Sequence, residues 1–576
     1  MSSSPRRTQH LAKTPLFTCS THALSRTDKG KVSYERARAT VRAYELTMDD
    51  VLTLSPKFWE LHQDPLMALD GAAMTLITIQ VNLTTGTIAR YAVHRPELVS
   101  LVEDLLSYRK HGQFLMTEVG HGLDIANLET TATLQPSGEF LLNTPSPQAA
   151  KFMPPTVPAG LPTVAVVWAR LFVNGEDRGV RPFIVYLNDG KQMCAGVKSR
   201  LLPERGGPNP VNHSITSFSN VRLPPDALLG PLETSGSLKA ALNQAIWRVV
   251  TGTLAIGSMV LPVMKATATI GTMYSLRRHV GSPRDRVPIM HFRTQQIPIL
   301  TLTARVYVLE AFQQWCTSIF CDTTVDSRVR HAIAGIFKTT ITEHSNAASI
   351  AISDRCGVQG LFAHNQLTTM HNETRGIAIA EGDVLVLSIK LATEMLQGLY
   401  SVPAPKDPKS LLALHEAGLF QENYATLANS SHHRSSEVNR LILPQCLSII
   451  EAIGHRMAYE AAVAVGVQQD LVDLYVASVV KHDLAWYSEN AGFGRRALAE
   501  FETKALDAVL PQLGSLVGKM GMEPWISSKI VSDERWNAFV ETCPVFEGNG
   551  KVQSPRARAP GEKTPLPQQE MVRSHL

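Results

Sequence analysis

One glutamate, Glu381, has sequence surroundings that suit a catalytic carboxylate. It follows the apolar stretch 377–380 and precedes the apolar, helix-like segment 384–396. A carboxylate held near a helix N-terminus and flanked by apolar residues can accept a proton in a dry pocket, which is the task of a general base. The same position also suits an acid that caps or begins a helix. The local sequence favours the capping role and leaves catalysis open.

The glycine-containing segment 120–122 suggests two other kinds of site, and neither agrees with its context. The Gly-His-Gly begins like a dinucleotide-binding fingerprint, but Ile125 stands where the third glycine is required, and no strand-to-helix turn is predicted here. Glu118, His121 and Asp124 are spaced three apart, but on an irregular loop this spacing does not bring metal ligands together. We therefore expect neither a Rossmann site nor a metal site.

Length and composition are those of a globular protein with several domains. The 576 residues are enough for roughly three or four domains, since single cores stop growing well below this length. Hydrophobic residues make up 44% of the chain, charged residues 18%, and the net charge is +4. There is no long basic block, so nucleic acid is not an expected partner. The seven cysteines form no CxxC pair, which argues against a zinc ribbon or a disulfide framework.

Periodicity and turn residues divide the chain into regions and predict a fold that is mainly α with a central antiparallel β domain. Apolar residues recur at helical spacing on both sides of a stretch rich in Gly, Pro, Thr and Asn, which contains short runs of β-branched and aromatic residues. The predicted regions are a flexible N-terminus (1–35), an N-terminal helical domain (36–113), the β domain (114–230), a helical bundle (231–400), a Pro-rich linker (401–410), a C-terminal helical domain (411–547) and a flexible tail (548–576).

Two further segments bear on location. The apolar run 249–264 is short for a membrane span and contains two glycines and a proline, so a buried helix is predicted and no membrane span is expected. The chain ends in Ser574-His575-Leu576, which is similar to a peroxisomal address of the Ser-Lys-Leu type. We expect a peroxisomal protein, or otherwise a cytoplasmic one.

Several short motifs occur in an order and at spacings that resemble one enzyme family. Along the chain they are TEVGHG (Thr117–Gly122), LETTAT (Leu128–Thr133), FLLNTP (Phe140–Pro145) followed by Lys151, FSNVRLP (Phe218–Pro224), YSLRR (Tyr274–Arg278), FRTQQ (Phe292–Gln296), RCGVQG (Arg355–Gly360) and EGD (Glu381–Asp383). Gly360 and Glu381 are 21 positions apart, as the family leads us to expect. Most of the chain thus resembles the acyl-CoA oxidases, within the acyl-CoA dehydrogenase and oxidase superfamily.

The resemblance implies a fold and a reaction. The fold would be an N-terminal α domain, a β-barrel domain and two C-terminal helical domains. The reaction would remove an α-proton and a β-hydride from an acyl-CoA or related acyl thioester and give the trans-2-enoyl thioester, with FAD as cofactor, O2 as electron acceptor and H2O2 as product. Glu381 would be the catalytic base, which reverses the preference drawn from its local sequence.

The resemblance also implies a set of cofactor contacts. Thr117 would contact the flavin ring, and Arg278 would contact the diphosphate across a homodimer interface. The other implied FAD contacts are Gly122, Lys151, Phe152, Arg293, Gln296, Gly357, Gly360 and Asp383.

The sequence departs from the family pattern around the expected flavin. The family's Trp-Trp-Pro-Gly is Phe-Met-Pro-Pro at 152–155, so a proline without an N–H replaces a glycine. Arg293, Val358, Gln359 and Val384 also differ from the family's residues. Three hypotheses follow: a specialised oxidase of secondary metabolism acting on a polyketide-like or branched acyl group, an ordinary oxidase of fatty acid β-oxidation, or a flavin-deficient member that serves as a scaffold or partner subunit or catalyses a non-redox step. The retained Glu381 argues against a pure scaffold.

Overall fold

Helical segments surround one β region in the structure, a computed structural model that describes residues 7–551 except 208 and 234–236. One continuous apolar core joins the helical segments, and a second, smaller core lies inside the β region. The order of helices, sheets and further helices confirms the predicted fold class. The predicted signal at 574–576 lies outside the described residues.

The N-terminal region is helical from an earlier point than predicted. Its helices are α1 (Pro15–Thr18), α2 (Arg26–Tyr44), α3 (Met48–Thr53), α4 (Pro56–Leu61), α5 (Leu66–Leu69), α6 (Gly71–Thr78), a π-helix (Ile79–Thr85), α7 (Gly86–Ala92) and α8 (Val99–Leu106). A flexible segment was predicted up to residue 35, but this segment contains α1 and the first part of α2. The reason is that Arg36 is buried and its side chain bonds to the residues that precede it. It pairs with Asp70 at 3.0 Å and donates to the carbonyls of Leu16 and Cys19.

The β region holds two sheets and is mixed, not wholly antiparallel as predicted. Its strands are β1 (His111–Leu115), β2 (Thr131–Leu134), β3 (Phe140–Asn143), β4 (Lys151–Phe152), β5 (Thr163–Val173), β6 (Glu176–Asn188), β7 (Val197–Leu201), β8 (Ser214–Phe218) and β9 (Val221–Leu223). β5 is central: β1 and β2 run parallel to it and β6 antiparallel, while β3 and β9 continue the sheet beyond β2. β4, β8 and β7 form the second sheet. β5 is long and almost wholly apolar, so it can be covered on both faces and accept parallel neighbours.

The bundle that follows contains the longest helices. Its elements are α9 (Leu238–Ala245), α10 (Trp247–Ser258), α11 (Val260–Arg277), a hairpin of β10 (His279–Val280) and β11 (Val287–Pro288), α12 (Arg293–Cys321), α13 (Ser327–Arg355), α14 (Leu367–Ile379) and α15 (Val384–Leu396). Two stretches, 71–92 and 247–277, are long and apolar enough to cross a membrane by composition alone, but the apolar windows within them are 89% and 94% buried inside the protein. They are core helices of this fold.

An irregular stretch without helix or strand separates α15 from the last helices, as the prolines at 401–410 predicted. These helices are α16 (Leu411–Ala428), α17 (Ser436–Leu441), α18 (Cys446–Ala464), α19 (Gln469–Val480), α20 (Leu484–Asn490), α21 (Arg495–Val509), α22 (Leu513–Lys519) and α23 (Asp533–Glu541). Arg456 of α18 fastens the irregular stretch: it is buried, pairs with Glu416 at 2.6 Å and Glu460 at 3.0 Å, and donates to the Pro403 carbonyl.

Replacement of Arg456 by alanine should destabilise the C-terminal helices. The change leaves the carboxylates of Glu416 and Glu460 buried and unpaired, which costs about 3–5 kcal/mol in comparable sites. The control is Arg496→Ala, which removes an exposed pair with Glu500 and should cost less than about 1 kcal/mol. Thermal and urea unfolding of both variants measure the difference, and equal stabilities would refute the role given to Arg456.

Candidate functional site

Glu381 lies in the short connection between α14 and α15, and its backbone is held by two helices of the bundle. Lys338 of α13 donates from Nζ to the carbonyls of Ala380 and Gly382, and Thr253 of α10 donates from Oγ1 to the Glu381 carbonyl at 2.8 Å. Glu381 itself has a left-handed φ of 51°. The surrounding structure must hold such a conformation in place, because an L-residue with a side chain rarely adopts it.

The helix-capping role that the local sequence favoured for Glu381 belongs to a neighbour. The Asp383 carboxylate accepts hydrogen bonds from the backbone N–H groups of Leu385 and Val386 at 3.0 and 3.1 Å, the geometry of an N-cap. Asp383 is also a predicted cofactor contact, and here one of its carboxylate oxygens, Oδ1, caps α15. The Glu381 carboxylate is left without a capping function.

The Glu381 side chain points into a tightly packed and poorly solvated place. Its Oε2 is buried and makes no hydrogen bond within the part of the chain that the structure describes. A Cβ placed on Gly252 of α10 would lie 1.2 Å from this oxygen and 2.8 Å from the Asn82 amide nitrogen. The carboxylate therefore occupies the space that only a glycine at position 252 leaves open.

Burial shifts the two charged groups of this site towards neutrality. Burial raises the pKa of Glu381 to about 8, and the positive charge of Lys338 opposes the shift. Burial lowers the pKa of Lys338 to about 7, against the opposing effect of Glu381 and Asp383. A carboxyl group with such a pKa can exchange a proton near neutral pH, which is what a general acid or base requires.

Thr117 and Phe152 are paired with each other in the β region. Thr117 donates from Oγ1 to the Phe152 carbonyl and accepts from the Phe152 N–H at 3.0 Å. Phe152 is 37% exposed. Thr117 is half-buried, so both residues of this pair can be reached by a ligand.

Lys151, another predicted cofactor contact, lies inside the β region. Its ammonium group is fully buried, pairs with Glu118 at 2.9 Å and donates to the Met116 carbonyl. Glu118 also accepts from the N–H groups of Glu129 and Thr130 at 2.8 and 2.9 Å. Burial lowers the pKa of Lys151 to about 8, although Glu118 opposes the shift. Lys151 is thus a structural ion pair inside the β region, out of reach of a ligand.

Three further predicted contacts interact with other parts of this chain, two of them buried and one, Arg293, exposed. Gln296 is buried and donates to the carbonyls of Met290 and His291 at 2.9 and 3.2 Å. Arg293 forms an ion pair with Asp507 of α21. Gly360 is buried where a Cβ would lie 2.2 Å from the Ser353 carbonyl oxygen, so it permits a close backbone approach. Their side chains or backbone hold the expected cofactor segments in place.

Other predicted contacts are open to solvent and could meet a cofactor. Arg278 is exposed, and its guanidinium makes no hydrogen bond or ion pair to another described residue. Gly122 and Gly357 are exposed with open space around them, and Gly357 has a left-handed φ of 60°. The segments around these positions expose large apolar side chains: Val119, Leu123, Phe152, Val358, Leu361, Phe362, Ile379, Leu385 and Val386. In chemical character, exposed apolar groups and a free guanidinium fit the flavin ring and diphosphate of FAD.

One loop links the Phe152 segment to α14. His213 contacts the Met153 carbonyl at 2.9 Å, and Arg205 of the same loop pairs with Glu373 of α14 at 3.3 Å. Burial raises the pKa of Glu373 to about 7, with Arg205 opposing the shift and Asp70 adding to it. The β region is thereby connected to the helix that leads directly to Glu381.

The sequence did not identify the groups that position Glu381. Lys338, Thr253, Gly252 and Asn82 come from three separate segments and match no motif. A signal was present for Lys338, which is the only Lys, Arg, Asp or Glu between Arg330 and Glu343 in an apolar helix. A single charged residue in an apolar helix is expected to bind a polar partner inside the protein, because burying an unpaired charge costs much free energy.

Replacement of Gly252 by alanine should displace the Glu381 carboxylate. The added methyl group would overlap Oε2, so the side chain or α10 must move, which costs about 1–3 kcal/mol in overpacked cores. The control is Gly514→Ala on α22, where nothing lies within 4 Å of the added methyl and helix propensity improves. Urea unfolding measures both changes, and a Gly252 variant as stable as the control would show that the contact is absent.

The chain is similar to known proteins over this region and beyond it. Residues 249–396 match the family model of the acyl-CoA oxidase C-alpha1 domain. The chain is 27% identical over 390 residues to acyl-coenzyme A oxidase 2, peroxisomal, of Arabidopsis thaliana, and 25% identical over 333 residues to peroxisomal acyl-coenzyme A oxidase 3 of Homo sapiens. These matches cover 62% and 52% of this chain but 55% and 47% of the relatives. The chain thus spans about half the length of the curated relatives it matches.

Solved structures share the fold over nearly the whole chain. Acyl-CoA oxidase 1 from Yarrowia lipolytica superposes with a TM-score of 0.80 at 18% identity, covering 95% of this chain and 93% of that one. Acyl-CoA oxidase-1 of Caenorhabditis elegans, complexed with FAD and ATP, superposes with a TM-score of 0.70 at 18% identity, covering 94% and 96%. The resemblance to the acyl-CoA oxidase family that the motifs predicted is thereby confirmed, since residues 249–396 match its C-alpha1 domain and the chain has its fold.

Proposed function

We propose that this chain is an FAD-dependent acyl-CoA oxidase that desaturates the α,β-carbons of an acyl thioester, with Glu381 as the base. The observation that supports this most is the Glu381 carboxylate: its Oε2 is buried and makes no hydrogen bond to another described residue, and burial raises the pKa of the group to about 8. The oxidase names of the curated relatives agree with the reaction. The product would be the trans-2-enoyl thioester.

In the proposed reaction Glu381 removes the α-proton of the acyl group. The electron pair of the α-C–H bond forms the new double bond as a hydride leaves the β-carbon, so the substrate loses two hydrogens. When bound, FAD would supply the acceptor for that hydride and pass two electrons and a proton to O2, which with the proton held by Glu381 gives H2O2. Lys338 and Thr253 hold the Glu381 backbone, so the carboxylate meets the substrate without reorganisation.

Fewer residues are proposed to contact FAD than the motifs alone implied. Phe152 would lie against the flavin, Arg278 would bind the diphosphate, and Gly122 and Gly357 would allow close backbone approach. Thr117 would position the Phe152 segment through their mutual hydrogen bonds. A homodimer in which Arg278 reaches the cofactor of the partner subunit is part of the proposal, as is a peroxisomal location.

A second candidate is a family member without flavin chemistry, and one observation favours it. The segment 152–155 reads Phe-Met-Pro-Pro, so the backbone lacks two N–H donors next to the exposed Phe152 ring. Such a protein would act as a scaffold or partner subunit, or on acyl thioesters without redox change. A purified protein that is colourless and cannot be reconstituted with FAD would support it and contradict the oxidase.

Replacement of Glu381 by glutamine should separate cofactor binding from catalysis. Glutamine has the same shape but cannot accept the α-proton, so the flavin content should stay unchanged. Bleaching of the flavin absorbance by acyl-CoA should slow by at least about 100-fold. The control is Glu451→Gln on α18, where burial also raises the pKa of a carboxyl group to about 7. Bleaching at the wild-type rate in the Glu381 variant would exclude Glu381 as the base.

The pH dependence of the reaction should report the ionisation of Glu381. Only the carboxylate form accepts a proton, and burial holds the pKa of Glu381 at about 8. Accordingly kcat/KM should rise with pH and level off above about 8, since this parameter reports the free enzyme. Peroxide release measured at fixed ionic strength gives the profile. An inflection at the pKa of an ordinary exposed glutamate, near 4.3, would contradict the buried site.

A further inference from the structure

The side-chain amide of Asn82 lies beside the Glu381 carboxylate in the interior of the protein. Asn82 belongs to the π-helix and is fully buried. A Cβ placed on Gly252 would lie 1.2 Å from Glu381 Oε2 and 2.8 Å from Asn82 Nδ2. Both distances start from one point, so Nδ2 lies within about 4 Å of Oε2. The amide and the carboxylate of the candidate base therefore meet at the same notch of α10.

One hydrogen bond determines which way round the Asn82 amide stands. Its Nδ2 donates to the Arg248 carbonyl of α10 at 3.1 Å. The reverse orientation would place the amide oxygen against this carbonyl oxygen, and two acceptors cannot form a hydrogen bond. An amide NH2 group carries two hydrogens. The Arg248 carbonyl takes one of them, and the other makes no hydrogen bond to a described residue.

The π-helix that carries Asn82 is fastened to the start of the β region by Gln80. The Gln80 amide donates from Nε2 to the carbonyls of Leu105 and Lys110, both at 2.8 Å, and accepts from the Gly112 N–H. π-helical turns are frequent at functional sites. The amide of Asn82 is therefore held in place by the fold, as a group that positions a catalytic side chain must be.

Two helices hold the Glu381 backbone, but its carboxylate has no such support. Lys338 and Thr253 bond to backbone carbonyls at 380–382, whereas Oε2 is buried and makes no hydrogen bond to a described residue. A buried carboxylate that ionises without a donor is strongly destabilised. The free N–H of Asn82 is a donor within reach, since a rotation of either side chain can close the gap. Catalytic hydrogen bonds are often long without substrate and tighten once it binds.

We propose that Asn82 is a positioning residue for the candidate base: its second amide N–H donates to the ionised Glu381 carboxylate and holds it in one orientation. This inference rests on the proposed function, which assigns removal of the α-proton to Glu381. Asn82 itself gains and loses no proton. Because a hydrogen-bond donor stabilises the charged form of a carboxyl group, Asn82 opposes the effect of burial and makes the base easier to ionise.

The variant N82L tests whether the amide N–H is the group that acts. Leucine has a similar size but no donor, so the ionised form of Glu381 loses its support. The midpoint of the kcat/KM profile should move to higher pH by at least about one unit, because a hydrogen bond to a charged group changes an ionisation equilibrium at least about tenfold. An unchanged midpoint would overturn the inference. A midpoint at lower pH would also overturn it, since the unpaired Asn82 Oδ1 would then be the group that acts, on the protonated form.

The control variant is N423L on α16. Asn423 is likewise buried and donates from Nδ2 to a helix carbonyl, that of Leu419, at 2.8 Å. Its replacement removes a bond of the same kind and should leave the midpoint of the profile as in the wild type. If Asn82 serves only to bond the Arg248 carbonyl, N82L lowers the melting temperature as N423L does and leaves the midpoint unchanged, which would overturn the inference.

A crystal structure of the wild-type protein at alkaline pH tests the contact without any measurement of activity. Burial holds the pKa of Glu381 at about 8, so the carboxylate form prevails in crystals kept at about pH 9. Asn82 Nδ2 and a Glu381 carboxylate oxygen should then lie about 2.9 Å apart. If the atoms stay about 4 Å apart at this pH, beyond hydrogen-bond distance, the inference is overturned. If the protein oxidises no acyl-CoA, the proposed function fails, and the crystal structure still decides whether Asn82 orients the Glu381 carboxylate.

Discussion

The candidate site depends on one buried ammonium group, that of Lys338. It satisfies the carbonyls of Ala380 and Gly382, on either side of Glu381, and so fixes the turn between α14 and α15. The Ala380 carbonyl stands at the C-terminal end of α14, where the helix dipole favours a positive charge. Because this turn is fixed, the Asp383 side chain can cap α15, and the Glu381 carboxylate is not needed for capping.

The same burial that makes Lys338 a structural anchor also tunes Glu381. Removal from water disfavours the charged form of both groups, and each charge partly offsets the shift of the other. The outcome is a carboxyl group that exchanges its proton near neutral pH. The N-terminal π-helix and α10 complete the site through Asn82 and Gly252, so its chemistry depends on the packing of three segments that are distant in the sequence.

The residues implied by the family motifs fall into two physical groups. Lys151, Gln296 and Asp383 direct their polar atoms into the protein, where they hold strands, turns and a helix end. Arg278, Phe152 and the glycines at 122 and 357 remain open at the surface. The motifs therefore indicate which segments would form a cofactor site. Which side chains in those segments are free to contact a cofactor depends on the partners that they have in this chain.

The sequence by itself determined the resemblance to the acyl-CoA oxidases, the order of helical and β regions, the Pro-rich break after α15 and the choice of Glu381 as the candidate carboxylate. These features follow from local periodicity, turn residues and short motifs, all of which involve residues that are close together in the sequence. Only the tertiary structure decided that α2 begins at Arg26, that β5 accepts parallel neighbours and that Asp383 is the cap. It also decided that Lys338, Gly252 and Asn82 lie around Glu381. The reason is physical: the pKa of a group and its partners depend on burial and on contacts between segments far apart in sequence, and no local pattern records them.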